Sequence, residues 1–129
     1  MKVLLDTHAF LWWVTSRGSR LSEVARDVLS DGTNEVAVSM ASVWEMSIKV
    51  GIGRVELPDQ IDRYVPDRLR HHGFDLLPVE IQHTFRAGDL PRIHGDPFDR
   101  MLIAQAQIEG LALLTANPAI GRYEVETIW

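Results

Sequence analysis

Five side chains hold the chemistry this sequence can offer. Asp6 ends the aliphatic run Lys2 to Leu5, and Asn117 follows the apolar run Leu111 to Thr115. Asp96 and Asp99 bracket Pro97-Phe98, and Glu45 lies in a largely apolar stretch. If the two apolar runs are parallel strands, these groups meet at the strands' carboxyl ends, where open α/β folds place ligands. Carboxylates gathered there repel and raise one another's proton affinity unless a cation neutralises them. With oxygen donors and no cysteine, Mg²⁺ is favoured over Zn²⁺, and Mn²⁺ can substitute. A magnesium ion keeps several waters and takes one or two carboxylates plus phosphate oxygens. The implied reaction is phosphodiester hydrolysis, with a carboxylate as general base.

Each candidate also has a plainer role. Asp6 and Asp96 suit helix N-caps, Pro97 suits the first helical position, and Asp99 three residues after Asp96 imitates a capping box. Glu45 and Lys49 are spaced for a surface ion pair. Thr115 either orients a ligand or is an ordinary strand-end threonine, and Arg100 either steers a phosphate or pairs with Asp96. The five histidines lack metal-ligand spacing among themselves and read as surface or core residues. Trp12 and Trp13 point to different sides of one helix, so the core takes one or both.

The elements that must position these groups alternate. A strand at 2–5 feeds a helix at 7–14; a loop from Ser16 to Ser22 precedes a helix capped by Ser22 and closed by Gly32. A strand at 35–38 leads to a helix over 40–50, ended by Gly51 and Gly53. A further helix spans 59–70 with Pro66 as a break or kink and Gly73 as its stop. A strand at 75–79, a short helix at 80–87, a helix over 97–109 closed by Gly110, a buried strand at 111–115 and an edge strand at 125–129 complete the chain. This alternation predicts a mainly parallel sheet covered by helices on both faces.

Composition narrows the function. At 129 residues with 46% apolar content, one domain over 1–129 is expected. The longest uncharged run, Gly110 to Gly121, is too short to span a membrane. Lys2 is followed by only three apolar residues before Asp6, so no leader core is present and a cytoplasmic location is expected. Zero cysteines exclude disulfides, thiolate zinc sites and a cysteine nucleophile. A net charge of −5 has the wrong sign for gripping nucleic acid by bulk attraction, so any such grip must be local.

Several segments together resemble the PIN-domain ribonucleases, in particular the VapC-type toxins of bacterial toxin-antitoxin pairs. They are Leu4-Leu5-Asp6-Thr7-His8, Ser42 to Lys49, His94 to Ala106 and Leu113 to Asn117, with Trp129 closing the chain. The resemblance implies a PIN-like three-layer α/β fold with a mainly parallel central sheet of four to five strands and helices on both faces. It places Asp6, Glu45 and Asp99 on the family's acidic positions and implies Mg²⁺-dependent cleavage of RNA. Asp6 and Asp99 would hold the ion, with Asp96 either a further ligand or only a cap, and Thr115 and Asn117 auxiliary. Many relatives carry Asp where this chain has Asn117, which leaves a second metal in doubt. A homodimer and a cognate antitoxin covering the acidic site are also implied.

The rival readings come from other classes. A PIN-like or receiver-like module with an acidic pocket would bind a partner without cleaving RNA. The receiver reading lacks a mid-chain strand ending in an acceptor Asp, and the only lysines are Lys2 and Lys49. A haloacid-dehalogenase-like phosphatase would need Asp where His8 stands.

Overall fold

The computed structural model describes residues 1–15 and 18–129. Its elements are β1 (Lys2–Leu5), α1 (Thr7–Val14), α2 (Glu23–Ser30), β2 (Glu35–Ser39), α3 (Met40–Gly51), α4 (Ile61–His72), β3 (Asp75–Leu77), α5 (Ile81–Asp89), α6 (Pro97–Glu109), β4 (Ala112–Leu114) and β5 (Thr127–Ile128). The start of the loop expected at Ser16 to Ser22 lies outside the described residues, and Gly18–Arg20 forms a 3-10 turn.

The five strands run in the order β3-β2-β1-β4-β5, and every neighbouring pair is parallel. This order corrects the receiver-like reading, whose strands would run 2-1-3-4-5. The central strand β1 shows how two cores form. Val3 and Leu5 point into a cluster with Phe10, Leu29, Met46, Val65 and Leu69, on the side of α1, α2 and α4. Leu4 points the other way, into Leu90, Leu102, Ile103, Leu113 and Tyr123, on the side of α5 and α6. Strand side chains alternate between faces, so a four-residue aliphatic run feeds both layers.

Local chemistry sets the boundaries. Ser22 accepts from the Ala25 N–H at 3.0 Å and starts α2. That helix closes on Asp31, not Gly32, because the Asp31 N–H still reaches the Asp27 carbonyl. Gly110 ends α6 at φ 67°, letting the Leu111 N–H turn back to the Ala106 carbonyl at 2.9 Å. The expected break at Pro66 is absent. Although proline removes one donor, α4 runs on to His72 because Val65 and Leu69 are buried and the Tyr64 hydroxyl donates to the Val14 carbonyl at 3.2 Å.

Other limits shift by a few residues. The strand expected to reach Val79 stops at Leu77, since Pro78 cannot donate to a ladder. Glu80 caps α5, which extends to Asp89, and the last two strands shorten to Ala112–Leu114 and Thr127–Ile128. Among the described residues, no helix is long and apolar enough to cross a membrane.

Candidate active site

Asp6 leaves the carboxyl end of β1 and caps α1, and both its oxygens are engaged. Oδ1 accepts from the Ala9 N–H at 2.8 Å, and Oδ2 accepts from the Thr115 hydroxyl at 2.6 Å. Thr115 directly follows β4, the parallel neighbour of β1, so strand register delivers the hydroxyl. The plain reading of Thr115 as an ordinary strand-end threonine therefore gives way to a direct contact with Asp6.

Glu45 comes from the second turn of α3 and is buried, at 8% exposure. Its Oε1 accepts from the Thr7 hydroxyl, one residue from Asp6, and its Oε2 pairs with Lys49 Nζ at 2.9 Å. The expected ion pair is present, but it sits in a half-dry setting rather than on the surface.

Asp99 stands in the first turn of α6. Asp96 is the cap: its Oδ1 accepts from the Asp99 N–H at 2.9 Å. The Asp99 carboxylate turns away from the cap and meets His94 Nε2 at 2.8 Å, with Asn117 Nδ2 at 3.4 Å. Asn117 thus offers its amide donor to Asp99, while its carbonyl oxygen accepts from the Ala119 N–H at 3.0 Å.

Electrostatics links these elements. Burial pushes the Asp6 carboxyl above the usual range against the pull of Thr115, Ala9 and His8, and the Glu45 charge adds to the rise. Burial also raises Asp99, opposed by His94 and assisted by the charges of Asp96 and Asp6. Asp6 therefore feels Glu45, and Asp99 feels Asp6.

Could these residues hold a divalent cation? Among the described residues, no three His, Cys, Asp or Glu side chains converge closely enough to enclose one alone. The chemistry still fits a hard cation. The donors are carboxylate oxygens, two of them dry enough to favour neutralisation, and a magnesium ion needs only one or two carboxylates beside its waters.

Two residues near the acids differ from their sequence reading. His94 is neither core nor idle surface but a partner of Asp99, a contact across an irregular loop that no periodicity announces. Arg100 neither steers a phosphate nor pairs with Asp96. It is 6% exposed, and its guanidinium donates to the carbonyls of Ala87, Leu90, Pro91 and His94 and to the Tyr123 hydroxyl. Arg100 thereby fastens the α5–α6 connection that carries His94 and Asp96.

A model of the PIN domain matches residues 3–126. The chain belongs to the PIN domain family. Over 59 residues this PIN chain is 37% identical to Ribonuclease VapC16 of Mycobacterium tuberculosis, covering 46% of this chain and 42% of that protein. The chain thus matches less than half the length of that curated relative. Among solved structures, VapBC2 from Rickettsia felis bound to a promoter DNA fragment aligns with a TM-score of 0.70 at 16% identity, over 99% of this chain and 98% of that one. DNA-bound VapBC from Salmonella typhimurium gives 0.69 at 17% identity, over 99% and 97%. A toxin-antitoxin complex from Klebsiella pneumoniae gives 0.68 at 19%, over 98% and 96%. At such identities these structures bear on the PIN fold alone.

Proposed function

We propose that this PIN protein is a metal-dependent endoribonuclease, the toxin of a cytoplasmic toxin-antitoxin pair. The supporting observation is the set of contacts beside the carboxyl end of β1: Thr115 donates to Asp6, Thr7 donates to Glu45 and Asn117 donates to Asp99. The relative named as a ribonuclease and the neighbours described as VapBC or toxin-antitoxin complexes point the same way.

In this reading Asp6 and Asp99 hold Mg²⁺, or Mn²⁺ in its place, with Thr115 fixing the Asp6 carboxylate and Asn117 steadying Asp99. When bound, the ion acidifies an attacking water and stabilises the leaving oxygen. Glu45, held by Thr7 at Oε1 and by Lys49 at Oε2, completes the acidic site and would help position the attacking water. Asp96 caps α6 through Oδ1 and is kept as a further ligand through its other carboxylate oxygen. A homodimer and a cognate antitoxin are proposed as partners, an acidic pocket being suited to an inserted arginine.

The test is cleavage of single-stranded RNA by purified protein. Cutting is expected with Mg²⁺ or Mn²⁺ and lost on chelation. Equal cutting by Asp6→Asn, or in chelator, would overturn the assignment, and binding without any cutting would favour a partner-binding module.

A further inference from the structure

We infer that Trp44 and Phe98 form a stacking subsite for an unpaired nucleotide base at the rim of the acidic centre. The inference rests on the nuclease reading and deepens it. Trp44 immediately precedes Glu45 on α3, and Phe98 immediately precedes Asp99 on α6. Their rings meet across the two helices, with centroids 5.3 Å apart and planes at 69°. Trp44 is nevertheless 64% exposed, so the indole does little for the core and keeps most of its surface open. A large exposed aromatic group beside an acidic centre marks a binding surface more than a packing residue.

Charge selects the occupant. The chain carries −5, and the neighbours of this pair are carboxylates, so the sugar-phosphate backbone gains little from bulk attraction here. The remaining grip is on the bases. Stacking on an aromatic face is available to every base and tolerant of sequence, but only where the base is not already paired within a duplex. The pair therefore selects single strands and sets one base next to the phosphate that the acids address. Met40 and Ile48, one turn to either side of Trp44, are also exposed, and a protein partner would use them as well.

The experiment measures binding of a fluorescein-labelled oligoadenylate by anisotropy in chelator, with an abasic oligomer of equal length as control. Trp44→Ala and Phe98→Ala should each weaken oligoadenylate binding about tenfold or more. Trp44→Phe should retain most of it, abasic binding should not respond, and Ile48→Gln should leave oligoadenylate binding unchanged. In cleavage assays Trp44→Ala should raise KM while kcat stays within about twofold. Oligoadenylate affinity within twofold of wild type for a folded Trp44→Ala overturns the subsite, and a loss of self-association in that variant then gives the face to a second copy. If wild-type protein binds through Trp44 but never cuts, the nuclease reading fails and the subsite stands; cutting with an unchanged KM in Trp44→Ala sinks the subsite alone.

Discussion

Asp6 and Asp31 have the same kinds of partner and opposite behaviour. Each accepts from one threonine hydroxyl, Thr115 at 2.6 Å or Thr33 at 2.7 Å, and from one backbone N–H, Ala9 at 2.8 Å or Thr33 at 2.9 Å. Asp31, in the open turn before β2, has its carboxyl lowered by those bonds. Asp6, at the carboxyl edge of the sheet, is raised despite them, because burial outweighs both and Glu45 adds like charge. Hydrogen-bond partners alone therefore do not set a carboxylate's proton affinity; the loss of water outweighs them.

Substituting the two aspartates gives the largest contrast. Asp6→Asn should lower RNA cleavage by about 10²-fold or more, since it removes a proposed metal ligand rather than a ligand's partner, whose loss costs about 10–100-fold. Its thermal midpoint should not fall, because asparagine still caps α1 and no buried charge remains. Asp31→Asn should leave cleavage unchanged and slightly lower the midpoint at neutral pH. Calorimetry beside a cleavage assay reads both, and equal losses of activity would erase the contrast.

Next in size is the frame that holds the connection carrying His94 to Asp99. Arg100→Leu strands the buried carbonyls of Ala87 and Leu90, and should cost about 3 kcal/mol in urea unfolding. A change below about 1 kcal/mol would show that the connection holds itself. Removing the hydroxyl donors is subtler. Thr115→Val should cut cleavage about tenfold, the equivalent of one lost charge-assisted bond. It should also push the acidic limb of the pH–rate profile upward, while Thr33→Val should move neither.

The smallest effect is on metal-free stability against pH. The folded Asp6 and Asp99 bind protons more tightly than their unfolded forms, so stability falls as pH rises through their raised values and recovers below them. Asp31 and Asp67 have the reverse sign, since their bonded carboxylates lend stability that is lost as pH falls through their lowered values. Unfolding of Asp6→Asn across mildly acidic pH should show a flatter slope than wild type; an identical slope would mean that Asp6 is as wet as Asp31.

Much of this was legible in the residues. The aliphatic runs before Asp6 and Thr115 mark strands buried on both faces, and capping chemistry marks Asp6, Ser22, Asp96 and Gly110. Parallel strands put their carboxyl ends on one edge, which is where Asp6 was expected and lies. Thr115 was named from the sequence as an auxiliary residue, but the contacts that finish the site were not legible. Thr115 reaches Asp6 through register, Arg100 answers carbonyls of an irregular loop, and His94 finds Asp99 across the turn ahead of α6. None of these contacts has a repeat in sequence. Of the break or kink expected at Pro66, the break does not occur, because it is a local tendency whereas the packing of Val65 and Leu69 is not.

The bond between Asp6 and Thr115 joins positions 109 residues apart. A nascent chain leaving the ribosome exposes its first acid early, yet cannot orient it until the strand carrying that hydroxyl has emerged and docked. The carboxyl edge around Asp6 is therefore complete only after β4 has docked beside β1.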